Sequence, residues 1–171
     1  MRKKIIIGFG SKAQVGKDYI AAKLADYFDV ERVSFADAVK ADLAILFRHN
    51  NLDLSILCEI PELKQKIRPL MVEYSQLFRS FKEDHWVDKA LSRNFDHQVT
   101  VITDVRFPNE VAKIKKLGGY YVDIISDVPP ANEVEALYSP KMAELADYRV
   151  VNNFDDNYVS DVVKLVNSLL K

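Results

Sequence analysis

Ile5 to Phe9 is an unbroken apolar run rich in β-branched residues, the pattern of a strand buried on both faces of a parallel sheet. After a loop from Gly10 to Gly16, Ile20, Leu24 and Phe28 recur every four residues with Tyr27 beside them, which predicts an amphipathic helix. Strand, glycine-bounded loop and helix therefore follow in that order. Arg32 to Phe35 reads as a short second strand, followed by a helical stretch from about Ala36 to Phe47 and a loop at Asn50, Asn51 and Asp53. Between Pro61 and Asn94 the pattern is helical. Pro69 lacks a backbone donor, so it is placed in the first turn of a new helix whose apolar face is Leu70, Tyr74, Leu77, Phe78 and Phe81. A further helix carries Trp86, Val87, Ala90 and Leu91.

Val99 to Thr103 is another strand, ending at Asp104. Pro108 suits a first helical position, Val111, Ile114 and Leu117 recur every three residues, and Gly118-Gly119 supplies the stop. Tyr120 to Ile125 returns as a strand. Asp127 to Ala146, with Pro129, Pro130 and Pro140, has weak periodicity and reads as a loop with a short helix. Arg149 to Val151 is the last strand, and Tyr158, Val162, Val166 and Leu169 mark a final amphipathic helix. Strands alternating with helices predict an α/β fold on a parallel sheet, whose ligand crevice lies beyond the carboxyl ends of the strands. A length of 171 residues with no internal repeat fits one domain.

Charge narrows the partners. Twenty-four Lys and Arg against 25 Asp and Glu leave a net charge of -1, so no global basic field exists to hold a nucleic-acid polymer, while a local pocket for a small anion remains open. Hydrophobic residues at 49% and charged residues at 29% fit a soluble globular chain. No apolar run reaches the roughly 18 residues of a membrane span. The run at Ile5 to Gly10 is also too short for a secretory signal, because Lys12 cuts it off. A single cysteine, Cys58, makes no internal disulfide and reads as a small buried residue in a reducing compartment, so a cytoplasmic protein with no membrane partner is expected.

Ser11-Lys12-Ala13-Gln14-Val15-Gly16-Lys17-Asp18 fits the phosphate loop G-x-x-x-x-G-K-[ST], with Ser11 in the first glycine place and Asp18 in the hydroxyl place. Two of four fixed positions depart, but the apolar strand before it and the helix starting at Gly16 supply the context. Backbone N–H groups at a helix N-terminus form an anion site, Gly16 lets the backbone approach phosphate, and Lys17 brings a point charge. A carboxylate at Asp18 replaces the hydroxyl that usually meets Mg²⁺, and can bind that ion directly or through water. The alternative is a polar turn with Asp18 capping the helix.

Asp104 ends its strand at the same edge of the sheet as the first loop, the geometry of a Mg²⁺-holding acid, although a plain turn former would sit there too. Arg106 can reach a phosphate with its planar donor fork. Arg68, Arg79 and Arg93, with Lys40, Lys64 and Lys66, populate the helical middle and could clamp a second phosphate-bearing molecule, each being otherwise a solvated charge. Tyr74, Phe78, Phe81 and Trp86 are core by default, with one ring available to stack on a base. His49, His85 and His97 are scattered and support neither zinc binding nor a catalytic triad.

Two stretches carry a family resemblance. Gly16-Lys17-Asp18 behind an apolar strand, and Asp104-Val105-Arg106-Phe107-Pro108-Asn109-Glu110 leading into a helix that ends Leu117-Gly118-Gly119, resemble the bacteriophage deoxynucleoside monophosphate kinases. Ser34 to Lys40 resembles the segment after that family's second strand, and Arg68 to Arg79 followed by Trp86-Val87 resembles its arginine-containing insert. The resemblance implies a three-layer P-loop NTPase fold with a parallel sheet, a helical acceptor-binding insert at about 36–96 within a core of 1–35 and 97–171, and a short lid. It implies transfer of a phosphoryl group from ATP to a deoxynucleoside monophosphate with Mg²⁺, in a monomer or homodimer, in the host cytoplasm if phage-encoded. Ser11, Lys12, Ala13, Gln14, Val15, Gly16, Lys17, Asp18 and Tyr19 would surround ATP, and Asp18 and Asp104 would bracket Mg²⁺. Asp37, Lys40, Arg68, Arg79 and Trp86 would line the acceptor site, and Arg106 would join Lys17 and Asp104 in the chemistry.

Two departures stand out. Ser11 replaces a glycine, and no arginine occurs from Phe107 to Tyr148, so no arginine-bearing lid is visible, with Lys141 a weaker substitute. Small P-loop kinases share the core and differ in the insert, so phosphomevalonate or dephospho-coenzyme A is an alternative acceptor. A non-catalytic nucleotide-binding module is a third reading. A GTPase is disfavoured, because neither N-K-x-D nor D-x-x-G occurs where that function needs it.

Overall fold

The computed structural model describes residues 3–10 and 12–171. Ser11, one of the expected phosphate-loop residues, lies outside the described residues. The chain divides into two compact units, residues 1–33 with 94–171, and residues 34–93.

The first unit is built on a five-stranded, all-parallel sheet. Its strands are β1 (Ile5–Gly10), β2 (Val30–Val33), β3 (Val99–Ile102), β4 (Tyr120–Ile125) and β5 (Tyr148–Val151), in the order β2-β3-β1-β4-β5. β1 is central, with Ile5 opposite Val99 on β3 and Ile7 opposite Tyr120 on β4. Its helices are α1 (Lys17–Leu24) and, beyond the four helices of residues 34–93, α6 (Pro108–Lys116), α7 (Glu133–Leu145) and α8 (Asp156–Leu169).

Alternation along β1 separates two faces. Ile5, Ile7 and Phe9 pack with Ile20 and Leu24 of α1 and with Tyr158, Val162 and Val166 of α8 in one apolar core. Complete burial of a side chain such as Ile7 or Phe9 contributes roughly 1.5–3 kcal/mol. The opposite face lies under α6: a Cβ at Gly8 would stand 2.6 Å from Ile114 Cδ1 and 2.9 Å from Val105 Cγ2, so any larger residue would force those side chains to shift. Helices on both faces of a parallel sheet give the three-layer α/β fold expected from the alternating pattern.

The second unit is helical: α2 (Phe35–His49), α3 (Leu54–Glu59), α4 (Pro61–Phe81) and α5 (His85–Leu91). Its core gathers Val39, Leu43, Leu54, Ile67 and Trp86, with Cys58, Met71, Tyr74 and Phe78 packed against it. Cys58 is thus only partly buried, not fully enclosed as expected.

Several elements differ from expectation. Ser34 and Phe35 are not strand: Ser34 is the extended residue before α2 and Phe35 is its first helical residue. α1 stops at Leu24, and Phe28 joins the core from the turn that follows. Pro69 does not begin a helix but lies inside α4, where the Gln65 carbonyl loses its usual donor. The exposed position of Pro69 lets water take that donor's place. The buried stripe of α4 is Ile67, Met71, Tyr74 and Phe78, whereas Leu77 and Phe81 face outward, Phe81 with 77% exposure. The weakly periodic stretch before β5 holds a helix of 13 residues, α7, with Pro140 inside it. Among the described residues no helix is long and apolar enough to cross a membrane.

Candidate active site

All five strands run the same way, so the segments that follow them gather at one edge of the sheet. After β1 comes the loop to Gly16, after β3 the stretch from Thr103 to Phe107, after β4 Ser126, and after β5 Asn152. Side chains tie three of these together. Lys12 Nζ donates to the carbonyls of Ser126 and Val128 at 3.0 and 2.5 Å. Asn152, 3% exposed, donates its amide to Val15 O at 3.0 Å.

The loop itself turns through left-handed residues at Gln14 (φ 60°) and Gly16 (φ 87°). At Gly16 a side chain would have no room, because its Cβ would fall 2.6 Å from Asn152 Nδ2. A left-handed non-glycine residue such as Gln14 carries strain of a kind that collects at ligand-binding loops. From Gly16 the chain enters α1, whose first residue is Lys17.

Lys17 is 8% exposed, and its ammonium donates to the carbonyl of Lys12. Burial, reinforced by the charge of Arg106, pulls its pKa down to about 8, against the opposing pull of Glu135, Asp18 and Asp104. Those four residues therefore define the electrostatic surroundings of the loop lysine. Asp18, in the first turn of α1, makes no capping hydrogen bond; its carboxylate meets Arg32 Nε and a terminal guanidinium nitrogen, both at 3.1 Å. The pair is exposed, and such a contact is worth at most about 1 kcal/mol, so Asp18 is readily yielded to a cation. Asp104 is half-buried just past the end of β3.

Arg106 Nη1 lies 3.6 Å from Glu135 Oε1. Its backbone N–H and that of Phe107 donate to Glu110 Oε2 at 2.6 and 3.0 Å, which fixes the bend between β3 and α6. Glu135, 4% exposed on α7, accepts from the N–H of Ala13 at 3.1 Å and of Ala131 at 3.0 Å. Burial pushes its carboxyl up, but these two N–H donors and the charges of Arg106 and Lys17 outweigh burial and hold it below the usual carboxylate range.

The donor set suits a hard divalent ion held mostly by phosphate and water. Asp18 and Asp104 both act on Lys17, and Mg²⁺ at nucleotide sites takes one or two carboxylates. Among the described residues there is no cluster of three or more His, Cys, Asp and Glu that would cage a metal without a substrate.

Tyr19, 53% exposed, lines a groove with Tyr27 and, on α8, Val159 and Val163. In the helical unit, Asp37 and Lys40 form a 3.1 Å ion pair on α2, Arg68 is exposed on α4 and Arg79 half-buried in its last turn. Trp86 is not an open stacking surface. It is 3% exposed, surrounded by Tyr74, Phe78 and His85, and donates its indole N–H to Ser75 O at 3.0 Å. Lys141, the weaker substitute for a lid arginine, lies over the Tyr138 ring at 5.7 Å.

Sequence reasoning missed Glu135 and Asn152. Asn152 had a usable signal, a polar residue directly after a strand at the ligand edge of the sheet. Glu135 had none, since it stands more than a hundred residues from the amide it meets.

No curated protein matches the chain. Among solved structures, a shikimate kinase from Bacteroides thetaiotaomicron aligns over 97% of this chain and 98% of its own, with 12% identity and a TM-score of 0.48. The sequence model of the phosphomevalonate kinase family matches residues 9–119, a span from the end of β1 through the phosphate loop, the helical unit, Asp104 and Arg106 to the start of β4. Because that span is well over half of the 171 residues, the chain belongs to the phosphomevalonate kinase family.

Proposed function

We propose that the protein is a kinase that transfers the γ-phosphoryl group of ATP to the phosphate of a deoxynucleoside monophosphate, giving the diphosphate and ADP. The observation that carries this reading is the convergence of a loop amide and Arg106 on a single anionic group, the Glu135 carboxylate, whose charge also acts on Lys17. A cradle with these donors suits a phosphate chain.

The amides of residues 12–16 and the Lys17 ammonium grip the ATP phosphates. Asp18 and Asp104 hold Mg²⁺, which neutralises charge on the phosphates when bound. Arg106 supplies a planar donor fork to the transferred phosphoryl group. Little covalent help is needed, because phosphoryl transfer rests on positioning and charge stabilisation. The helical part, about 36–96, takes the acceptor, with Asp37, Lys40, Arg68 and Arg79 as its polar groups; Trp86 supports them from the core.

A second reading exchanges the acceptor for phosphomevalonate, and the family match over residues 9–119 favours it. Both acceptors are phosphate monoesters that become diphosphates, so the donor half of the site serves either. The acceptor stretches at Ser34 to Lys40 and Arg68 to Arg79 favour the nucleotide through their resemblance to the monophosphate kinases.

An assay of ADP release with ATP and Mg²⁺ against deoxy- and ribonucleoside monophosphates, phosphomevalonate and dephospho-coenzyme A decides between them. Turnover with a deoxynucleotide is expected. Turnover with phosphomevalonate alone replaces the first reading by the second, and ATP binding without turnover on any acceptor leaves a nucleotide-binding module.

A further inference from the structure

The loop that reads as a phosphate cradle already holds an anion from its own chain. Glu135 Oε2 accepts the Ala13 N–H at 3.1 Å, the contact a phosphate oxygen would make with that amide. Its other oxygen, Oε1, is buried with no hydrogen-bond partner, and the nearest cation, Arg106, stops at 3.6 Å. A buried, charged oxygen without a hydrogen bond is costly to maintain. The site's donors and cations favour the ionised carboxylate as a whole, yet they leave one of its two oxygens without a hydrogen bond. A phosphoryl group, with three acceptor oxygens where a carboxylate has two, would satisfy the same donors better.

The helix that carries Glu135 is unevenly anchored. Its carboxyl end is pinned, with Lys115 Nζ donating to Leu145 O and to Asp147 at 2.8 Å each, and Arg149 donating to Ala143 O at 2.7 Å. Pro140 lies between that end and Glu135, and it deprives the Ala136 carbonyl of its usual helical donor. On the amino-terminal side of Pro140, Val134 and Leu137 are 46% and 61% exposed, so the apolar hold there rests on Tyr138, whose ring meets Phe107 edge-on at 5.2 Å.

We propose that Glu135 is a built-in occupant of the phosphate seat: its carboxylate competes with the nucleotide for the Ala13 amide, Lys17 and Arg106, and the first half of α7 withdraws it when a polyphosphate enters. This rests on the reading of the loop as a nucleotide-phosphate site. The contact lowers affinity by the fraction of molecules in which the seat is closed, so removing the carboxylate should remove that penalty.

Calorimetric titration of the full-length protein with ATP, and separately with inorganic pyrophosphate, tests this on the native sequence, Glu135→Gln and Glu135→Ala. Both ligands should bind the variants more tightly, by roughly fivefold or more. Unchanged or weaker binding by a variant that melts as the native protein does would overturn the proposal, as would a fall in kcat alone, the signature of a residue that only positions Arg106. Should the variants fail to fold, hydrogen exchange on the native protein carries the test: pyrophosphate should protect the amides of residues 12–17 while exposing those of residues 131–137. Protection of both segments contradicts the proposal. Turnover with equal affinities removes this inference and keeps the proposed function, whereas no nucleotide binding by any form removes both.

Discussion

Asn152 fastens the loop after the last strand to the loop after the first, its side-chain amide lying 3.0 Å from the carbonyl of Val15. The same amide nitrogen is what a side chain at Gly16 would strike, and Tyr158 OH reaches Gly16 O at 3.4 Å from α8. Removing the amide leaves the Val15 carbonyl without this donor in a buried setting, at a cost of about 1–3 kcal/mol. Asn152→Ala should therefore lower the unfolding free energy by that amount and weaken ATP binding as well. A variant with native stability and affinity would show that this tie does not shape the loop.

Lys17 is the positive charge closest to the loop backbone. Lys17→Ala should cut turnover at least a hundredfold, the scale of losing one donor aimed at developing charge. The melting temperature should hold or rise, because the ammonium is buried at a desolvation cost that depresses its pKa to about 8. Near-normal ADP release by this variant would refute its role.

Asp104→Asn keeps the shape of the strand end and removes the charge. The Mg²⁺ concentration needed for half-maximal turnover should rise by about tenfold or more, at the scale seen when groups orienting a metal are lost. An unchanged Mg²⁺ titration would take Asp104 out of the metal site.

Asp123, on β4 and 7% exposed, gives a pH-dependent prediction for stability. Burial pushes its carboxyl above the ordinary 3.8, and the opposing charges of Arg149 and Lys12 do not cancel the effect. Between the ordinary and the raised value the folded chain binds more protons than the unfolded one, so this group's contribution to stability falls as pH rises through that window. At neutral pH the ionised side chain is a net cost. Asp123→Asn should therefore raise the melting temperature by roughly 1–4 °C at pH 7, with the gain vanishing below about pH 3.5. A gain that persists in acid would point to packing instead of charge.

The sheet was legible because its strands are short, apolar and β-branched, and Tyr120–Ile125 matches its expected bounds residue for residue. Boundaries failed where one residue type serves two states. Phe35 extends the apolar run of β2 yet begins a helix, since Ser34 ahead of it is extended. At Pro69 the local rule for a helix interior was outweighed by tertiary packing: Ile67, Met71, Tyr74 and Phe78 bury one continuous stripe on either side of it. α7 was hidden by Pro140 and by a face that mixes Glu135 and Met142 in burial, so no apolar period marks it. In the candidate site, Lys17 and Asp18 stand out through the spacing of a phosphate loop, and Asp104 and Arg106 through their place just past the end of a strand. The Arg32 partner of Asp18 and the Glu135 partner of Ala13 arise only from chain crossings that no local pattern encodes.

The central place of β1 also bears on how the chain folds as it is made. Its neighbours in the sheet are Val99 to Ile102 and Tyr120 to Asp123, so β1 is synthesised well before either of its partners. Residues 34–93, contiguous and helical, can meanwhile close their own core from contacts near in sequence. During that interval an apolar strand, Ile5 to Phe9, stands with both edges unpaired, and it is there that self-association during synthesis should begin.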